Sequence, residues 1–130
     1  MQTRNRVLVV DDSDHIRILV SRLLKQREFL NIDTAANGKI AVEKVKSFHP
    51  DVIFLDCMMP EMGGLEVLQS VKKDYPAIIV VMMSSISARD EILKFKEAGA
   101  DMYLLKPFDN HKFNEVLDKV LTVVEGQKEG

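Results

Sequence analysis

The chain of 130 residues has a single cysteine, Cys57, no tryptophan, four prolines and six glycines. One cysteine excludes an intramolecular disulfide and any Cys/Cys or Cys/His zinc spacing. The fold must therefore rest on a hydrophobic core, and a reducing compartment, the cytoplasm, is the expected location. An excess of charge is also lacking, since 18 Lys and Arg oppose 20 Asp and Glu for a net charge of -2. Without a basic stripe there is no electrostatic footprint for direct nucleic-acid binding. Long apolar runs are missing too. The uncharged stretch from Pro76 to Ala88 falls well short of the roughly 20 residues that cross a bilayer, so no membrane insertion is expected. Met1 to Asn5 is polar and the apolar run after it, Val7 to Val10, stops at two aspartates, which is no signal peptide.

What the chain does contain is 46% hydrophobic residues, spread over a length that suits one globular domain. A chain of this size buries roughly two thirds of the surface its unfolded form exposes. Four short apolar runs recur: Val7–Val10, Val52–Leu55, Ile78–Val81 and Met102–Leu105. Continuous apolarity without alternation predicts strands of a parallel sheet covered on both faces. Asn31–Ala35 alternates polar with apolar and predicts a half-exposed edge strand.

Between the runs the period becomes 3.6. Helical stripes are formed by Ile16, Leu19, Val20, Leu23 and Leu24, by Ala41, Val45 and Phe48, and by Leu65, Leu68 and Val71. Ile92, Phe95 and Ala98 make a fourth, with Ser87 and Asp90 as a capping box at its start. The fifth runs through Phe113, Val116, Leu117, Val120, Leu121 and Val124, and Glu125 to Gly130 reads as a frayed tail. Strands alternating with helices predict an α/β fold, a single-domain (βα)5 doubly wound parallel sheet over residues 1–130 with a core at about 6–124. An edge position for the second strand favours the order 2-1-3-4-5, and a binding crevice at the carboxyl ends of the strands.

Polar groups stand at those ends. Asp11 and Asp12 follow the first strand, Asp56 the third, Ser84 and Ser85 the fourth, and Lys106 and Pro107 the fifth. Ionised carboxylates sharing a site repel and raise each other's pKa, which a divalent cation relieves. All-oxygen ligands with room for water and phosphate suit Mg2+ or Mn2+ better than zinc. A carboxylate held beside such a cation is a nucleophile toward a phosphoryl group. The metal and Lys106 would compensate the charge from opposite sides.

These elements make the chain similar to the receiver domains of two-component response regulators, from about Arg6 to Val124. The likeness is carried by Val9-Val10-Asp11-Asp12, the run from Asp56 to Gly64, Ser84, Ala98-Gly99-Ala100-Asp101 and Tyr103-Leu104-Leu105-Lys106-Pro107-Phe108. The resemblance implies a flavodoxin-like fold, Asp56 as phosphoacceptor, Asp12 as a direct metal ligand and Asp11 as a contributor partly through water. Asp56 and the backbone carbonyl of Met58 would complete the coordination. Ser84 would supply the hydroxyl drawn to the phosphoryl oxygens, Tyr103 the aromatic ring that turns inward behind it, and Lys106 the cation that pairs with the phosphoryl group. Composition does not separate Ser84 from Ser85; the spacing to Lys106, as in the family, selects Ser84. The Lys106-Pro107 peptide is expected to be cis. Met58 and Ile86 take the two positions that flank the phosphoryl group and bear on its loss. The implied function is a stand-alone, chemotaxis-regulator-like phosphoacceptor, no enzyme beyond assisting its own phosphorylation and dephosphorylation. Its implied partners are a histidine kinase or histidine phosphotransferase and a downstream protein docked on the face of helix 4, strand 5 and helix 5. It is expected as a monomer, with a dimer on phosphorylation as the alternative.

Other functions compete for the same residues. Asp12 and Asp14 have the Asp-x-Asp spacing of haloacid-dehalogenase-like phosphohydrolases, but that reading leaves the Asp56 segment unexplained. A phosphate-independent receiver-like scaffold would lack an acidic residue or the lysine, and none is missing. Asp11-Asp12 taken alone also fits a solvated loop capping a helix. Cys57 follows Asp56 and should point to the other side of the chain, which disfavours a redox role. Met59 and Met62 beside Cys57 fit adaptable packing better than a copper(I) site. His15, His49 and His111 have no metal-ligand spacing, and His111 is expected in the first turn of the last helix.

Overall fold

The side chains of Val7 and Val9 point to one face of a sheet and those of Leu8 and Val10 to the other, and all four are fully buried. That double burial explains the unbroken apolar run, because a central parallel strand needs apolar residues on both sides. The computed structural model describes residues 3–129, with side chains from Asn5 to Gly126. Its strands are β1 (Thr3–Val10), β2 (Phe29–Ala35), β3 (Val52–Asp56), β4 (Ile79–Ser84) and β5 (Met102–Leu105). They alternate with α1 (Asp14–Gln26), α2 (Gly38–Phe48), α3 (Gly64–Asp74), α4 (Arg89–Glu97) and α5 (Asn110–Glu129). All neighbouring strands pair in parallel, in the order β2-β1-β3-β4-β5.

The core has two halves. On one face Val7, Val9, Phe54, Val81 and Met83 meet α1 and α5 through Val20, Leu24, Phe113, Leu117 and Val120. On the other, Leu8, Val10, Ile53, Leu55 and Met82 meet α2, α3 and α4 through Ala41, Val45, Leu68, Val71 and Phe95. The edge strand β2 buries its ends, Phe29 and Ala35, and leaves residues between them partly or fully exposed.

Several boundaries differ from the sequence expectation. β4 begins at Ile79 and continues through Met82, Met83 and Ser84, because burial between two helical layers outweighs the modest strand propensity of methionine. α4 starts at Arg89 with Ala88 as N-cap, and its first turn has no side-chain cap. The capping box therefore does not form. Asp90 sits one residue short of the third helical position, so Asp90 and Glu91 favour this helix end only through their charge at its positive pole. The last helix is longer than its apolar stripe. α5 runs on to Glu129, since Gln127, Lys128 and Glu129 are good helix formers and Gly126 alone does not stop it; Gly130 lies outside the described residues.

The turn before β5 has a mechanical role. Lys72 of α3 reaches the carbonyl of Ile78 at 2.6 Å and the Asp101 carboxylate at 2.8 Å, and Asp101 accepts the N–H of Val80 at 2.8 Å. Gly99 adopts φ 108°, a left-handed conformation, and a Cβ there would stand 3.0 Å from Lys72 Cγ.

Candidate functional site

The site grows out of the β1–α1 turn. The Asp11 side chain is fully buried, and its two oxygens have different partners: Oδ1 accepts the N–H of Ser13 at 2.9 Å and Oδ2 accepts Lys106 Nζ at 2.7 Å. Ser13 then caps α1 by accepting the N–H of Ile16 at 3.3 Å. Arg17, one turn on, donates to the Asp11 carbonyl at 2.7 Å and pairs with Asp14. Asp14 is thus an exposed helix residue turned to Arg17, and it is not part of the acidic cluster. The structure gives the Asp12/Asp14 phosphohydrolase reading no support.

Asp56 ends β3 and is 5% exposed. Its Oδ1 accepts the N–H of Met58 at 3.3 Å and lies 3.4 Å from Lys106 Nζ. α3 packs directly over this turn. A Cβ on Gly64 would stand 2.3 Å from the Asp56 carbonyl oxygen, so only glycine lets the helix start here. Lys106 follows β5, and its N–H donates to the Ser84 carbonyl at 2.8 Å, which fixes the two strand ends together. The Lys106-Pro107 peptide is cis. Phe108 stacks on Phe113 with ring centroids 6.0 Å apart and ties the loop to α5.

Carboxylate oxygens of Asp11, Asp12 and Asp56 lie within 4.8 Å of one another. Asp12 is the exposed member. Burial, then the negative charge of Asp11, push the Asp56 pKa up to about 6, against the opposing pull of Lys106 and the Met58 N–H. Burial pulls Lys106 down, but its hydrogen bond to Asp11 and the charges of Asp56 and Asp11 outweigh that, and its pKa is raised. One ammonium thus serves two buried carboxylates. An oxygen-only donor set with this unrelieved repulsion fits a hard divalent cation.

The hydroxyl position is Ser84, which is 2% exposed, whereas Ser85 is exposed. Ser84 Oγ accepts the N–H of Ile86 at 3.0 Å. Tyr103 is half-buried, its ring tilted against Phe95 with centroids 6.2 Å apart. Its hydroxyl donates to the carbonyl of Ile86 at 3.1 Å. The ring therefore lies against Phe95 with its hydroxyl turned to the β4–α4 loop, whose Ile86 N–H is held by the Ser84 hydroxyl. Burial pushes the Tyr103 phenol up to about 12. Cys57 is buried on the other side of the chain from the Asp56 carboxylate, within the second core half, and burial pushes its thiol up as well. Both facts oppose a reactive thiol. Met59 and Met62 pack against that same core, while Met58 is 66% exposed. His111 lies in the first turn of α5 and pairs with Glu115.

Sequence reading passed over Ser13 and Arg17, which hold the β1–α1 turn. A signal was present in Ser13 itself, a cap residue just before the first helical stripe. Nothing in the sequence announced the contacts of Tyr103 with Ile86 and Cys57, because they join three separate strand ends.

The family model of the response regulator receiver domain matches residues 7–118. The chemotaxis protein CheY of Halobacterium salinarum is 36% identical over 117 residues, covering 90% of this chain and 97% of that protein. The response regulator protein VraR of Staphylococcus epidermidis is 34% identical over 123 residues, covering 94% of this chain and 57% of that protein. The crystal structure of the chemotaxis protein CheY4 of Vibrio cholerae superposes with a TM-score of 0.85 at 32% identity, covering 91% of this chain and 99% of that one. Among the described residues no helix is long and apolar enough to cross a membrane. With its strand order, its acidic turn and its lysine, the chain belongs to the response regulator receiver family, the phosphoacceptor signalling domains of two-component systems.

Proposed function

We propose that Asp56 is the phosphoacceptor of this domain and that it takes its phosphoryl group from a histidine kinase or histidine phosphotransferase in a Mg2+-dependent reaction. The observation that carries this is the placement of Lys106 Nζ, 2.7 Å from Asp11 and 3.4 Å from Asp56. A buried acidic nucleophile then has beside it a fixed cation, shared with Asp11, and two further carboxylates, Asp11 and Asp12. Those carboxylates, Asp56 and the Met58 carbonyl would hold the ion, which when bound supplies positive charge to the phosphoryl oxygens. An Asp56 oxygen attacks phosphorus and forms a P–O bond as the P–N bond to the donor histidine breaks. The electron pair stays on the imidazole nitrogen, which takes up a proton. Lys106 pairs with the phosphoryl oxygens, and the Ser84 hydroxyl turns to them from the Ile86 N–H.

Phosphorylation then shifts the balance of inactive and active conformers, and the α4–β5–α5 face engages a downstream protein. Leu93 and Leu105 on that face are 46% and 44% exposed. A second copy of the chain on the same face would give a phosphorylation-dependent dimer. A cytoplasmic location suits a domain that draws its phosphate from kinases. Incubation with acetyl phosphate and Mg2+, followed by intact mass measurement, should add a single phosphoryl unit. An Asp56→Asn protein labelled equally well would overturn the assignment.

A further inference from the structure

Tyr103 and the residue after the proposed phosphoacceptor are in direct contact. The Cys57 thiol donates to the Tyr103 hydroxyl oxygen across 3.7 Å, and that hydroxyl donates onward to the Ile86 carbonyl at 3.1 Å. Ile86 is thereby held from two directions, its N–H by Ser84 Oγ at 3.0 Å and its carbonyl by Tyr103. If Ser84 turned to a phosphoryl group it would release the N–H and its own contacts with the Tyr103 and Cys57 side chains, but not the carbonyl. The carbonyl would stay anchored through Tyr103, and Tyr103 through Cys57.

We propose that Cys57 is a positioning residue: its S–H holds the Tyr103 hydroxyl against the Ile86 carbonyl and so favours the inward ring. A phenol oxygen both accepts and donates, and in this arrangement it does both. Cys57 is 5% exposed and lies among apolar side chains, so its thiol has little competition from water for this bond. The thiol carries no chemistry of its own here. Its effect is to set how far the Tyr103 equilibrium is left for the phosphoryl group to move. The contact itself is a property of the fold, while its consequence for signalling rests on Asp56 being the phosphoacceptor.

The test uses the full chain labelled with fluorotyrosine and observed by fluorine NMR. Only Tyr75 and Tyr103 are present, and Tyr75→Phe assigns the two signals. Cys57→Ala removes bulk and Cys57→Val adds it, but neither can donate. Both should shift the Tyr103 signal toward that of an exposed tyrosine and raise its solvent-isotope shift, with the inward-to-outward ratio down about threefold, the scale of a weak S–H···O bond. Cys57→Ser keeps a donor and should return the wild-type signal. A wild-type signal in either the Ala or the Val protein overturns the proposal, and so does failure of Ser to rescue a folded chain. Should the apolar variants fold poorly, the stability effects of Cys57→Ser and Tyr103→Phe, alone and together, provide a second measure; simple additivity again overturns it. These readings need no phosphoryl donor, so they stand apart from the mass test of Asp56. With beryllium fluoride added as a phosphoryl mimic, Cys57→Ala should show a larger Tyr103 shift than wild type.

Discussion

Lys106 stands closer to Asp11 than to Asp56, at 2.7 Å against 3.4 Å. The ammonium is therefore first a counter-ion for the fully buried Asp11 and second a neighbour of Asp56. Removing one partner of such a pair leaves uncompensated buried charge, which is strongly destabilising. Lys106→Met should lower metal-free stability by up to about 3 kcal/mol, and by clearly less with saturating Mg2+, which replaces the missing positive charge. Denaturant titrations with and without Mg2+ check this. Equal losses in both conditions would mean that Lys106 and Mg2+ do not neutralise the same carboxylates.

The raised pKa of Asp56 makes metal-free stability depend on pH with a definite sign. A group with a folded pKa of about 6 against an ordinary 3.8 binds its proton more readily when folded. Its contribution is full below the unfolded value and is lost as pH rises through about 6. Asp56→Asn cannot lose a proton there. Its melting temperature minus that of the wild type, measured without divalent cations, should therefore grow between about pH 4 and neutrality. A pH-independent difference would show that Asp56 is not strained by its neighbours.

Mg2+ at about ten times its dissociation constant should add roughly 1.4 kcal/mol by mass action, a melting shift of several degrees for a domain of this size. Asp12 is exposed, so Asp12→Asn should change the metal-free melting temperature little and blunt the Mg2+ response. An undiminished response in that variant would place the ion elsewhere.

Met58 and Ile86 are expected to bear on how long a phosphoryl group on Asp56 lasts. Both side chains are apolar, Met58 exposed and Ile86 half-buried, and neither can orient an attacking water. Hydrolysis needs a water in line with the phosphorus, so the wild-type phosphoprotein should lose phosphate more slowly than a Met58→Asn, Ile86→Glu double variant. Phosphate loss is followed after donor removal at constant Mg2+. An equal or slower rate in the double variant would remove shielding as the cause.

The acidic turn, Asp56 and Lys106 were legible because each ends an apolar run, and a parallel sheet puts all such ends on one edge. Asp14 looked equivalent to its neighbours in sequence, yet a helix start turns it toward Arg17, away from the cluster. Ser87 looked like a cap, but the chain spends the residues after Ser84 on hydrogen bonds of Ile86 to Ser84 and Tyr103, and α4 starts later. The resemblance implied an inward-turning Tyr103, but its bond with Cys57 was not legible. Its partner Cys57 is 46 residues away, and that bond depends on how two strands sit across β4.

The residues of the site come from the ends of β1, β3, β4 and β5, and the Lys106–Asp11 pair closes across 95 residues. No fragment that lacks β5 brings Lys106 to the Asp11 and Asp56 carboxylates. A nascent or half-folded chain would hold those carboxylates without their lysine, and so could neither orient nor charge-balance an incoming phosphoryl group. Closing contacts this distant in sequence costs loop entropy that the assembled sheet must offset, so the ability to be written upon would depend on the fold being complete through β5. A signal recorded on Asp56 would then also certify that the molecule carrying it had finished folding.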